Sequence, residues 1–212
     1  MVFLTFGEIF DIVLMTLIIG FMFKDFFKSP KQYTDPLDYY RSKKNKSFLS
    51  KYFNSETLED MKFSMMVVAP AIIFHEFGHK IVAMLFGLNA TFHAAYSWLF
   101  FGLILKYLLG FVFVVPAFIS VSGTAVPFLG ISNINVISVL ISFAGPLVNA
   151  TIYLVMLYLE KNKLVHRKHN KLLILTKRIN GFLFIFNMLP IPGFDGFKVY
   201  AGLIELIKGF LM

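Results

Sequence analysis

The sequence contains no cysteine. That excludes a disulfide framework, a thiolate metal site and a cysteine nucleophile, so any metal must be held by His, Asp or Glu. Charge is also scarce: 15% of the 212 residues are Asp, Glu, Lys or Arg, against about 25% in an ordinary soluble domain. Carboxylates are scarcer still, 12 against 20 basic residues, and between Glu76 and Glu160 there is none. Apolar residues fill the space. They make up 58% of the chain, 27 of them Phe, and the mean hydropathy is +0.73. Several apolar runs approach the ~20 residues needed to cross a bilayer, so the chain reads as a multi-pass protein of the cell membrane.

The net charge of +8 would suit nucleic acid, but its distribution does not. Nine of the 20 Lys and Arg fall in residues 24–62 and seven more in 161–178, beside apolar spans and in no nucleic-acid motif. Juxtamembrane positive charge explains both blocks, and no nucleic-acid partner is expected. The positive-inside rule would put both blocks in the cytoplasm. The blocks also divide the chain. Residues 1–23 read as an N-terminal transmembrane anchor, without the basic start and small-residue cleavage site of a signal peptide. Residues 24–62 read as a basic linker outside the membrane, and 63–212 as the main intramembrane domain. Glu8 and Asp11, three apart in the first span, share a helical face and are expected near the membrane surface. Further spans are expected at 63–87, 133–159 and 172–190, with a short C-terminal helix at 196–212. The intervening region, 88–130, is rich in β-branched and aromatic residues and broken by Gly and Pro. "FVFVV" and "FISVS" suit strands, so a re-entrant or β-hairpin element is expected there.

The second span holds "APAIIFHEFGHKIVAMLFG", residues 69–87. Ionisable side chains at that depth cost roughly 2.5–3.5 kcal/mol each on insertion scales. His75 and His79, four apart, stand one turn apart on a single helical face and can reach one zinc ion. Glu76 follows directly, where it can serve as general base. Gly78 between them lets another backbone approach. The simpler alternative is a buried cluster in which Glu76 pairs with Lys80 at i, i+4. That pairing leaves both histidines unexplained.

A catalytic zinc takes three protein ligands and leaves a place for water. Downstream of the motif remain only His93, Glu160, His166, His169, Asp195 and Glu205. His166 and His169 sit in the basic loop "KNKLVHRKHNK", Glu160 adjoins it, and Glu205 lies three residues from Lys208. Asp195 follows "LPIPG", where two prolines break the helix, so it is a lone carboxylate on broken backbone inside an apolar bundle. The competing role, a pair with Lys198, is weaker. Elimination leaves His75, His79 and Asp195 as the metal ligands, with His93 in reserve.

"HEFGH" in one membrane helix, "AGPLVN" in a later one and "NMLPIPGFDG" in the next resemble the site-2 protease family of intramembrane zinc metalloproteases, over about residues 63–200. "FVFVVPAFISVSG" resembles archaeal members. The resemblance implies a mainly all-α fold, a three-helix catalytic core with the N-terminal anchor and the C-terminal helix added. It implies one Zn2+ on His75, His79 and Asp195, with Glu76 as base and acid. It also places Asn187 and Asn149 near the substrate or the developing oxyanion, with His93 close to the substrate, while Gly145 and Pro146 would permit close helix packing. Many prokaryotic members orient the site toward the cytoplasm, opposite to the orientation that the basic blocks suggest. The expected activity is a zinc endopeptidase cleaving within or near transmembrane segments, as in regulated intramembrane proteolysis. Its expected partners are the lipid bilayer, a transmembrane substrate and a regulatory membrane protein. An intact substrate helix hides its carbonyls, so strand-like edges near 89–97 and 111–122 are expected to hold an unwound segment. A catalytically silent scaffold of the same fold is the alternative. A metal transporter would need several intramembrane ligand clusters and two-fold repetition, which the sequence does not show.

Overall fold

The computed structural model describes residues 3–30, 55–110, 112 and 115–211. Helix α1 spans Phe6–Phe23, α2 Ser55–Leu85, α3 Tyr96–Leu109, α4 Ile134–Lys161, α5 Asn170–Asn187 and α6 Asp195–Leu211. Strands β1 (Asn89–Ala94) and β2 (Ala117–Ser122) form a two-stranded antiparallel sheet. The fold is therefore mainly helical with one small hairpin-like element. Most of the linker expected over 24–62 lies outside the described residues; in its last stretch "SETLEDMKF", where an amphipathic turn begun by Ser55 is expected, α2 begins at Ser55 and runs on without a break.

Among the described residues, three helices are long and apolar enough to cross a membrane: Phe6–Phe23, Thr57–Leu85 and Ile134–Lys161. Helix α5 carries Lys171, Lys177 and Arg178, and α6 has 17 residues. The span expected at 172–190 therefore falls short of that standard. The two basic blocks meet at one end of the bundle, where the Lys171 ammonium donates to the Lys28 carbonyl (2.6 Å).

Helix α1 is tied to the sheet by its two carboxylates. The N–H of Phe92 donates to Glu8 (2.7 Å), and the N–H of Ala94 to Asp11 (3.1 Å). Carboxylates three apart on a helix meet N–H groups two apart on a strand, so α1 covers the outer edge of β1. Glu8 also pairs with the Lys80 ammonium of α2, both side chains being buried. Glu8 thus faces the bundle interior from the first turn of α1, and the pairing of Lys80 with Glu76 is overturned. A Thr5–Glu8 capping box starts α1 at the same point.

Helix α3 runs alongside α1 in the same direction. The Tyr96 hydroxyl donates to Asp11, and ten residues later Lys106 reaches the Phe21 carbonyl, ten residues beyond Asp11, and also Asp25. With 14 residues, about 21 Å, α3 is too short to span a bilayer core of about 30 Å. Ala117, the first residue of β2, stands beside Ala94, close to the start of α3. "FISVS" is β2; "FVFVV" lies largely outside the described residues.

The sheet register decides which edge is open. Phe92 and Ala94 turn their N–H groups to α1, so the pairs Phe92–Ile119 and Ala94–Ala117 are not the hydrogen-bonded ones. By alternation, Ala117, Ile119 and Val121 direct their backbone groups away from β1. All three line the cavity described next.

Candidate metal centre

His75 and His79 project from α2 toward α4, where the helices nearly touch. A Cβ on Gly78 would stand 2.8 Å from the Ala144 carbonyl oxygen, and one on Gly145 only 2.3 Å from His79 Nε2. Glycine at these two positions makes room for the imidazoles against the α4 backbone. Pro146 disturbs the preceding turn of α4. The Ile141 carbonyl in that region accepts from His79 Nδ1 (2.7 Å). His75 Nδ1 faces Asn149 Oδ1 at 2.6 Å. With each Nδ1 donating, both Nε2 atoms carry free lone pairs.

Those two Nε2 atoms lie 3.1 Å apart, and Asp195 Oδ2 stands 3.1 Å from His75 Nε2 and 3.3 Å from His79 Nε2. Asp195 is the first residue of α6, delivered by the proline-broken segment after α5, and it meets the histidines rather than Lys198. Three electron-pair donors converge. Atoms bound at about 2.0–2.1 Å in a tetrahedron stand roughly 3.3–3.4 Å apart, so the spacing and the N₂O donor set suit a single metal ion. The three residues form a group that could hold a metal.

A cavity of about 170 Å³ opens beside them, lined by Glu76, Asn187, Lys198 and β2 among others. Glu76 and Asn187 line the same cavity as the ligand group. Two candidates do not. Asn149 is fully buried behind His75, outside the cavity lining, because its amide is committed to α2 and α5. His93, on β1, bonds Ser120 Oγ (3.1 Å) across the sheet and stands outside both the ligand group and the cavity lining. His166 and His169 form an exposed 3₁₀ turn at the basic end.

Two buried polar residues, Ser142 in the cavity lining and Asn180 behind it, escaped the sequence reading. Asn180, 1% exposed, bonds Asn149. The available signal was its position seven residues before Asn187, two turns along the same face of α5.

No family model matches the chain, and no solved structure does. A protein of Methanocaldococcus jannaschii named "Putative zinc metalloprotease" is 34% identical over 140 residues, covering 64% of this chain and 68% of that protein. At that identity and coverage, the chain belongs to the same family as this protein.

Proposed function

We propose that the protein is an intramembrane zinc endopeptidase of the site-2 protease type, cleaving membrane-protein substrates within or near their transmembrane segments. The observation that carries this reading is the convergence of His75, His79 and Asp195 beside a cavity shared by Glu76 and an open strand edge. Depth supports it too. His79 and His75 precede Leu85, the end of α2, by six and ten residues, about 9 and 15 Å along the helix. A site at that distance from the end of a spanning helix lies inside a bilayer core about 30 Å thick.

His75, His79 and Asp195 would hold the zinc ion, which when bound supplies Lewis-acid chemistry, acidifying water and polarising a carbonyl. Glu76 faces the cavity next to His75 and takes the proton from the attacking water, then returns it to the leaving amine. The Asn187 amide, on the same cavity wall, donates to the oxygen of the cleaved carbonyl as negative charge develops there. An unwound substrate segment lies along β2 and pairs with the free backbone groups of Ala117, Ile119 and Val121. The edge of β1 is unavailable for this, since Glu8 and Asp11 of α1 occupy its N–H groups.

Metal analysis of the detergent-purified protein is the first test. Wild type should retain one equivalent of zinc, and Asp195→Ala should retain it far more weakly. Glu76→Gln should keep zinc but lose cleavage of a membrane-spanning substrate by about 10²–10⁴-fold. Folded wild type without zinc after reconstitution would sink the metal reading. An active Glu76→Gln variant would sink the assigned base, and zinc-loaded wild type that cleaves no substrate would leave a silent scaffold.

A further inference from the structure

Behind His75 lies a fully buried chain of polar side chains that runs from α5 through α4 to α2. The Asn180 amide donates to the Thr176 carbonyl (2.8 Å), and its Oδ1 accepts from Asn149 Nδ2 (2.9 Å). Asn149 Nδ2 also donates to the Ala71 carbonyl (3.0 Å), and Asn149 Oδ1 meets His75 Nδ1 (2.6 Å). Asn149 is 0% exposed and Asn180 1%, so water does not substitute for any partner.

An amide side chain can be turned over, exchanging donor for acceptor. Here both ends of the chain forbid it. The Thr176 carbonyl only accepts, so it requires the NH₂ group of Asn180 and leaves Asn180 Oδ1 facing Asn149. Asn149 then meets two acceptors, Asn180 Oδ1 and the Ala71 carbonyl, and must present its own NH₂ to both. Only its oxygen remains for His75. An oxygen accepts, so His75 has to bring Nδ1–H, which leaves Nε2 bare and aimed at Asp195 and His79. Without Asn180, one N–H of Asn149 would be buried without a partner, a cost the amide could relieve by rotating away.

We infer that Asn180 is a positioning residue: through Asn149 it fixes the tautomer and ring orientation of His75, and so the readiness of His75 to bind metal. The inference rests on the metal site proposed above. A structural role alone would have Asn180 merely join α5 to α4 and leave metal affinity untouched.

Zinc dissociation constants from chelator competition, together with melting temperatures of the metal-free protein, separate the two roles. Partners that orient a ligand directly are worth about 10–100-fold in metal affinity, and that range is expected for Asn149→Ala. Asn180→Ala, one step removed, should weaken zinc by about 3–10-fold. Asn180→Ser keeps a hydroxyl that can donate to Thr176 and accept from Asn149, so it should bind more tightly than the alanine variant. In the double variant, Asn180→Ala should add nothing to Asn149→Ala, because its effect passes through that residue. In metal-free wild type, ¹⁵N shifts should show His75 protonated at Nδ1, and Asn180→Ala should mix the tautomers. Unchanged zinc affinity with a lowered melting temperature would overturn the inference and leave packing. So would additive losses in the double variant. Wild type that bound no zinc would instead overturn the metal site itself, and this inference with it.

Discussion

His79 and Lys80 are neighbours on α2 and both are buried, yet they belong to opposite kinds of polar cluster. His79 faces α4 and joins His75 and Asp195; Lys80 faces α1 and meets Glu8. The second cluster is complete. One cation meets one anion, and the remaining capacity of Glu8 is taken by the N–H of Phe92 and by Thr5. The first is complete only around a cation, because two bare ring nitrogens and a carboxylate present three lone pairs to one point. Burial of charge in an apolar helix therefore does not mark function by itself. The mark is a cluster whose members share a need that none of them meets.

Crosswise substitution offers the sharpest way to break this comparison. Lys80→Met leaves Glu8 buried without its cation and should destabilise the protein by about 3–5 kcal/mol. The fraction that stays folded should still bind zinc. His79→Ala should do the reverse, abolishing tight zinc binding at little cost to the stability of the metal-free fold. Glu8→Gln combined with Lys80→Met should recover part of the loss, since the glutamine oxygen still accepts from Phe92. Denaturation in detergent, read beside zinc content, checks all three. Zinc loss in folded Lys80→Met would show that the two faces of α2 are one functional unit.

The same contrast explains what could be read from the sequence. His75, Glu76 and His79 were legible because helical periodicity fixes their geometry within a single turn. Asp195 was legible because carboxylates are so scarce that elimination sufficed. The Glu8–Lys80 pair was not, since its partners lie 72 residues apart and the local i, i+4 alternative, Glu76, was nearer at hand. Strand character at 118–122 could be read from β-branched composition, but the choice of open edge depends on α1 covering β1, which no local pattern records. Asn149 fell between these cases. Its motif put it at the site, while its place behind His75, and its dependence on Asn180, follow from the packing of three helices.

A smaller effect is expected on the α4 side of the metal cluster. Gly145 stands against both histidine rings, and a methyl group there would fall 2.3 Å from His79 Nε2. Gly145→Ala should push the ring off its hydrogen bond with Ile141, so zinc affinity should drop by about 10–100-fold, as for other losses of a ligand's orienting contact. The Glu8–Lys80 side should not register it. Zinc titration and metal-free melting, measured on one preparation, test both halves.

The smallest expected effect belongs to the α1 side and has a direction set by chemistry. The Tyr96 hydroxyl donates to the Asp11 carboxylate, and this bond, helped by partial desolvation, pushes the phenol up from 10.0 to about 12. An acid whose folded pKa is raised stabilises the fold fully below its unfolded pKa and loses that contribution as pH climbs through the folded value. The Tyr96–Asp11 bond should therefore help hold α3 against α1 up to about pH 10 and fade between 10 and 12. Tyr96 is 43% exposed, so the gain is small. Phenolate absorbance should show one late-titrating tyrosine that disappears in Tyr96→Phe, with zinc binding at pH 8 unchanged. Had the substitution weakened zinc, the wall that closes the β1 edge would have to be counted part of the metal centre, and the separation of the two faces of α2 would fail at its least energetic contact.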